Sequence, residues 1–333
     1  MFKKSIILFL LLNVILTGCS NTTNQADLTS NPFISNEIGD GNIPISYGIS
    51  INNLNTDKNL FEYHGEPITI EFLLQNGPVE CEVGIIILID GIIQSYQPLE
   101  NEKKETTIQP YKLNKNESKI VKIQFTPSFG TKGDQLKLQF LCMINPSFTP
   151  KSNNQNYENN HKFSQLVPQK LLMCLNAPTN NNITFSQEFE TASIPSDTLE
   201  EYIKKDNNGN IIKNMLDKNS YIYFYENNNK SSNIYLNNEN YKEIEMRIFG
   251  GNSTKYRLSL FLNHKQIDFC DNQKYLDIVV EKGNFASKKF NLKTTDFNKY
   301  NHLYIIATPL SDDFSSKAPL VFKSDSITII KIK

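Results

Sequence analysis

Period-two alternation of apolar and polar residues, met twice in the same order along the chain, constrains this sequence more than any other feature. Ile68, Ile70, Phe72 and Leu74 fall on one face of a run whose other face carries Thr69, Glu71 and Gln75, as a half-buried strand requires. The run from Val83 to Ile89 is apolar on both faces and predicts a central strand. Asp90-Gly91 after it predicts a hairpin turn, because both positions tolerate positive φ. Much later the series returns. Ile244, Met246 and Ile248 alternate with Glu243, Glu245 and Arg247, and Gly250-Gly251 supplies a turn like the one at Asn76-Gly77. Tyr256, Leu258, Leu260 and Leu262 then answer to Val83, Ile85, Ile87 and Ile89, with Asn263-His264 where Asp90-Gly91 stood. Phe290 and Leu292 match Val121 and Ile123, and Leu303, Ile305 and Ala307 match Leu136, Leu138 and Phe140. A shared order of strand, glycine turn, apolar strand, polar turn and two further strands predicts tandem units.

Short strands with hardly any helical period point to antiparallel sandwiches, each with two sheets around one core. The chain has 333 residues, more than one domain of ~100–200 residues needs. The expected fold is therefore all-β, with two tandem immunoglobulin-like antiparallel β-sandwich domains over residues 45–185 and 186–333. Each unit exceeds the ~100 residues of a minimal immunoglobulin domain, so extra strands or long loops are expected. The hallmarks of that fold are faint: Trp is absent, and Asp296 to Tyr300 only loosely resembles a tyrosine corner. Two segments stand outside the repeat. Lys151 to His161, rich in Asn and Ser, reads as an exposed loop. Around Ser196, a short helix capped by Ser196 or Asp197, with Leu199, Tyr202 and Ile203 on one face and Gly209 at its end, competes with an edge strand running into an Asp206–Asn210 turn.

The first residues give an address. Lys3 and Lys4 precede an apolar run that ends in Leu16, Thr17, Gly18 and Cys19, too short and too quickly followed by polar residues to span a bilayer, and residues 1–18 read as a secretory signal. Leu-Thr-Gly-Cys resembles the lipobox of bacterial lipoproteins. The resemblance implies a diacylglyceryl thioether on Cys19, cleavage before it, and a lipid-anchored position on the extracytoplasmic face of the cell membrane, held by ~0.8 kcal/mol per buried methylene. Residues 19–44, with Asn, Thr, Ser and Asp around Pro32, Gly39, Gly41 and Pro44, read as a flexible tether. Lysine far outnumbers arginine, which occurs only at Arg247 and Arg257. With the lipobox, that AT-rich bias makes the chain similar to clostridial surface lipoproteins of unassigned role. The similarity assigns one residue role, lipid attachment at Cys19.

Chemistry is harder to find. A formal net charge of −1 without a basic block argues against nucleic acid as a partner. The chain has no Gly-x-Ser-x-Gly elbow, P-loop, His-Glu-x-x-His or Ser-x-x-Lys pair. His64, His161, His264 and His302 have no partner nearby in sequence and read as surface or turn residues. Cys81, Cys142, Cys174 and Cys270 form no Cys-x-x-Cys pair, so no zinc site is readable. An exported location permits a Cys142–Cys174 disulfide, against which stands free cysteine packed as a small apolar residue. Asp206 to Asn210 offers oxygen ligands, but Gly209 comes too early for an EF-hand loop and a hairpin turn accounts for it. Asp271-Asn272 and Asp312-Asp313 are short polar loops. Tyr221, Tyr223, Tyr225, Tyr235 and Tyr241 have the side chain of a binding platform, although alternation over 221–225 is also what a strand gives. No catalytic, cofactor or metal residue emerges. The reading is a non-enzymatic, membrane-anchored surface lipoprotein presenting its sandwiches to a surface protein or wall polymer. An accessory or scaffold subunit of an export or envelope-assembly complex is the alternative, followed by a hydrolase with an unrecognised site.

Overall fold

Alternation becomes strand along both repeats. The computed structural model describes residues 46–51, 60–100, 104–157, 160–165, 169–178, 183–237, 240–251, 253–270, 272–293, 297–311 and 320–332. The expected signal at 1–18, Cys19 and the expected tether at 19–44 lie outside the described residues.

The first repeat holds β1 Ser46–Ile51, β2 Leu60–Tyr63, β3 Ile68–Gln75, β4 Cys81–Ile89, β5 Ile92–Gln94 and β6 Gln97–Pro98. It continues with β7 Gln109–Leu113, β8 Ser118–Phe125, β9 Gln135–Ile144, β10 Phe163–Gln165 and β11 Gln169–Met173. The second opens with β12 Phe185–Ser186, β13 Glu190–Ser193, helix α1 Ser196–Tyr202, β14 Ile203–Lys205 and β15 Ile211–Asn214. Then come β16 Ser220–Glu226, β17 Asn229–Lys230, β18 Asn233–Asn237, β19 Tyr241–Gly250, β20 Thr254–Leu262 and β21 Lys265–Ile267. It closes with β22 Tyr275–Val280, β23 Asn284–Lys293, β24 Tyr300–Pro309, β25 Phe322–Lys323 and β26 Ile327–Ile332.

These strands make four principal sheets. Sheet I has the order β1-β3-β8-β6, and sheet II runs β2-β11-β9-β4-β5 with β10 on β9 and β7 on β4. Sheet III runs β12-β22-β20-β24-β26-β18, with β21 on β20 and β25 on β24, and sheet IV runs β13-β23-β19-β16-β17. Sheets I and II enclose one core around Ile70, Phe72, Ile87 and Phe140. Sheets III and IV enclose another around Met246, Leu258, Leu260 and Ile305.

The duplication is visible in the pairing. The path β2-β11-β9-β4-β7 recurs as β18-β26-β24-β20-β22, and in each copy only the first pair is parallel. The antiparallel pair β3–β8 recurs as β19–β23. Both predicted turns form, with φ of 45° and 78° at Asp90 and Gly91, and 49° and 62° at Asn263 and His264, as a type I′ hairpin demands. Their side chains repeat too. Lys137 N donates to Asp90 Oδ1 at 2.7 Å, and His302 N donates to Asn263 Oδ1 at 3.0 Å. This register shifts the expected matches of Leu303, Ile305 and Ala307 by two residues, to Leu138, Phe140 and Cys142. Ile89 lies opposite Leu138 and Leu262 opposite Leu303, so Leu303 answers to Leu138 rather than Leu136. A two-residue slip keeps every side chain on the same face, so alternation alone is blind to it.

Both readings of the segment after Ser196 are realised in part. Helix α1 is capped by Pro195 without a side-chain bond and ends at Tyr202, ahead of Gly209. The chain then forms the β14–β15 hairpin, where Asp206 Oδ1 accepts N–H bonds from Asn208 and Asn210, both at 2.8 Å. The Asn210 side-chain amide, donating to Asp206 Oδ2 at 3.0 Å, together with these backbone bonds holds the Asp206 carboxyl below its usual range. Tyr202 and Leu216 pack on Tyr221 and Phe249 and cover part of the outer face of sheet IV.

Cys81, Cys142, Cys174 and Cys270 are free thiols. Cys142 sits opposite Ser164, whereas Met173, just before Cys174, donates to the Asp134 carbonyl near the other end of β9. At ~3.4 Å per residue, that places the two cysteines ~25 Å apart, which rules out the pairing weighed from the sequence and leaves the free, packed thiols that stood against it.

Candidate functional site

The two-faced apolarity of β4 has a structural cause. Val83, Ile85, Ile87 and Ile89 enter the core of the first sandwich. Ile86 and Leu88 point the other way, and with Ile93, Leu141 and Met143 they meet Phe261, Tyr304 and Ile306 of sheet III and Val321 just before β25. Sheets II and III therefore close on an apolar seam. Phe261 and Tyr304 stack there with centroids 4.9 Å apart and planes 4° from parallel. Polar contacts cross it as well. Arg257 Nη1 donates to the Asp90 carbonyl at 2.9 Å, Ile93 N to Tyr275 Oη at 3.2 Å, and Lys137 Nζ to Ser311 Oγ at 3.0 Å. Tyr300, weighed as a corner tyrosine, instead donates its hydroxyl to Asn153 Oδ1 at 2.8 Å in the first sandwich.

At one edge of the seam three histidines converge. His302 lies on β24 in step with Tyr304 and Ile306, so alternation aims it at the seam. His264 occupies the second position of the β20–β21 turn, where its left-handed φ turns the ring inward. His161 arrives from the first sandwich, at the end of the Asn-rich loop. Ring centroids stand 4.3 Å apart for His264–His302, 4.6 Å for His161–His302 and 5.1 Å for His161–His264. One ring nitrogen from each lies within 4.8 Å of the others.

This overturns the expectation of surface or turn histidines at two positions. His161 is 2% exposed and His302 6%. Tyr157, also buried, packs at a tilt against both, and its N–H reaches Thr328 Oγ1 of the second sandwich at 3.1 Å. The expected exposed loop thus ends as a plug, because its aromatic residues have a seam to fill. His264 is a turn residue as expected, but a half-buried one. His64 is exposed, 3.3 Å from Glu62, and groups with Glu62 and Cys174 at the surface.

The electrostatics of the cluster follow from burial. His264 Nε2 sits 2.5 Å from the Pro146 carbonyl and Nδ1 3.0 Å from Tyr304 Oη. His161 Nδ1 is 3.3 Å from Ser326 Oγ. His161 Nε2 and both nitrogens of His302 have no hydrogen-bond partner. Desolvation disfavours imidazolium, lowering His161 to about 2, His264 to about 4, and His302 well below its ordinary value. Neighbouring Lys323 donates to Ser324 O at 2.6 Å and Ser326 Oγ at 2.9 Å, and burial brings its ammonium down to about 7. At neutral pH the three rings are uncharged and each keeps one lone pair. The chemistry open to them is ligation. The local sequence around each histidine looks unremarkable, and the signal that could have found the site is the equivalence of His264 to Gly91 and of His302 to Lys137 between the repeats.

The tyrosines weighed as a platform are mostly structural. Tyr221 and Tyr225 are buried, Tyr223 shares a 2.6 Å hydroxyl contact with Tyr202, and Lys230 Nζ lies 3.4 Å over the Tyr223 ring. Tyr235 and Tyr241 are exposed.

No protein-family model matches the chain, and no curated protein is similar to it in sequence. Solved structures similar to it include a CARDB domain from Pyrococcus furiosus in complex with di-metal ions, at 13% identity over 40% of this chain and 96% of that one, TM-score 0.24. A protein of unknown function from Porphyromonas gingivalis is 9% identical over 86% of this chain and 99% of that one, TM-score 0.23. The Salmonella enterica SafA pilin in complex with the SafB chaperone gives 10% over 86% and 96%, TM-score 0.23. At such TM-scores none of these likenesses bears on function.

Proposed function

We propose that this chain is a non-enzymatic surface lipoprotein, anchored through Cys19 on the outer face of the cell membrane, whose joined sandwiches bind a surface protein or wall polymer. The supporting observation is an asymmetry between the two outermost sheets. Part of the outer face of sheet IV is covered by the chain's own Tyr202 and Leu216. On sheet I, Leu73 and Ile120 are cross-strand partners left 40% and 55% exposed, beside a Glu71–Lys122 ion pair at 2.6 Å. An apolar pair with charged neighbours is an economical contact surface, since the apolar centre supplies burial and the charges set orientation.

Two experiments test the reading. Cys19→Ala should release the protein from the membrane fraction, and retention as firm as wild type would remove the anchor. Crosslinked membranes and purified wall material then separate the partners. Retention on wall material that Ile120→Lys abolishes supports the polymer binder, and a stoichiometric membrane protein lost in the same variant supports the surface-protein partner. Capture that Ile120→Lys leaves unchanged removes sheet I as the contact. A scaffold subunit of an envelope-assembly complex is the second reading, favoured by the seam that fixes both sandwiches to each other through nine buried side chains.

A further inference from the structure

We propose that His161, His264 and His302 form a binding site for one divalent transition-metal ion of the zinc class, shared between the two sandwiches. The first sandwich supplies His161 and the second supplies the other two, so the ion would clamp the seam.

Three observations carry this. The first is the unpartnered nitrogens. A neutral imidazole has one N–H and one lone pair, and each costs ~1–3 kcal/mol when buried unsatisfied. His161 Nε2, His302 Nδ1 and His302 Nε2 are all in that condition, where a leucine or phenylalanine would fill the same space without penalty. The second is the outer hydrogen bonds. His264 Nε2 faces the Pro146 carbonyl and so carries the proton, leaving the lone pair on Nδ1. His161 Nδ1 faces Ser326 Oγ, leaving Nε2 toward the cluster. A ligand histidine ordinarily holds its other nitrogen in this way. Tyr304 Oη, 3.0 Å from His264 Nδ1, would turn away as that lone pair is taken.

The third is distance. Tetrahedral ligands ~2.05 Å from a metal are ~3.3 Å from one another, and one ring nitrogen from each histidine lies within 4.8 Å of the others, so those nitrogens close by at most ~1.5 Å. Three neutral nitrogens without a carboxylate select a nitrogen-preferring ion such as Zn²⁺ over Ca²⁺ or Mg²⁺. A water or anion completes the fourth position. Lys323 is the opposing charge. Its Nζ donates to Ser326 Oγ, the oxygen that faces His161 Nδ1 on the side away from the cluster. Glu82 and Asp325 are the acidic groups that act on His264 and Lys323.

The test uses the full chain purified in detergent and stripped with a chelator. Titration with Zn²⁺ alone should give one ion per chain, and amide exchange of β4 and β20 should slow on loading. His161→Ala, His264→Ala and His302→Ala should each weaken binding by more than about 100-fold, since even second-sphere changes cost ~10–100-fold. His302→Asn, with circular dichroism as the control for folding, serves if the alanine variants do not fold. Co²⁺ should give visible ligand-field absorption that these variants lose. Absence of stoichiometric Zn²⁺ binding up to millimolar concentration overturns the proposal. So does binding that survives in the His161→Ala/His302→Ala double variant, or that is lost with His64→Ala, which would put the ion at the surface group of Glu62, His64 and Cys174.

Discussion

Arg257 and Asp277 face each other across β20 and β22 and are joined by two parallel hydrogen bonds, Nε to Oδ1 at 2.8 Å and Nη2 to Oδ2 at 2.9 Å. Both residues are buried, and the remaining Arg257 nitrogen reaches Asp90 of the other sandwich. Asp277→Ala strands a buried guanidinium without its counter-charge, a loss of about 3–5 kcal/mol. Arg257→Met with Asp277→Leu removes both charges and should cost far less, leaving mainly the Asp90 carbonyl without its partner. Urea unfolding of Asp277→Ala and of the double variant measures this. A cost below about 1 kcal/mol for Asp277→Ala would mean the pair is solvated and the seam open.

The seam predicts how the molecule unfolds. Because Leu88 and Phe261 are buried between sheets II and III rather than in either sandwich core, Leu88→Ala should cost about 2–5 kcal/mol and Phe261→Ala about 3–5 kcal/mol. Leu88→Glu should go further and divide one calorimetric transition into two, as each sandwich loses its neighbour but keeps its own core. Two transitions in the unaltered protein would contradict the coupling.

What the sequence made legible was local. Ile68 to Leu74 and Ile244 to Ile248 announce half-buried strands because side chains alternate on any pleated backbone, and Asp90-Gly91 announces a turn because few residues accept positive φ. The both-faced apolarity of Val83 to Ile89 was legible as burial, but nothing in it said that the second face meets another domain. The histidine cluster depends on contacts between distant segments. His161 lies at the end of a run of Asn and Ser, and its burial is decided by Tyr157 and the seam rather than by its neighbours. The two-residue register of Leu303 was hidden for the opposite reason, since both candidate partners point into the same core.

Acid should destabilise the chelator-treated protein from a pH at which most domains are steady. His161, His264 and His302 are held neutral when folded, at about 2, about 4 and well below the ordinary value. The unfolded chain takes up protons at these positions near pH 6.5. Below that pH the unfolded state binds more protons, so stability falls with falling pH by up to about 1.4 kcal/mol per unit for each histidine. The loss runs from about 6.5 toward the folded-state values. Lys323, lowered to about 7, acts in the same direction higher up, and stability should rise between pH 7 and 10. His161→Phe with His302→Phe should flatten the acid limb, and Lys323→Met the alkaline one, in urea midpoints collected across pH. An acid limb unchanged by the phenylalanines would assign it to other groups.

Gly91 and His264 hold the same turn position in the two sandwiches, and the repeats predict opposite responses to exchange. At Gly91 a Cβ would lie 2.9 Å from Thr308 Cβ, at φ of 78°, so Gly91→Ala adds both a left-handed penalty of about 1–2 kcal/mol and a steric conflict across the seam. At His264 the left-handed cost is already present. His264→Gly removes it, about 1–2 kcal/mol, and gives up the bonds to Pro146 O and Tyr304 Oη, worth about 1 kcal/mol each. The net change in urea stability of the chelator-treated protein should therefore stay within about 1 kcal/mol, while Zn²⁺ stabilisation disappears. A loss above about 3 kcal/mol without metal would mean that the ring is held there for packing, and that its place in the cluster is a consequence of the seam rather than of ligation.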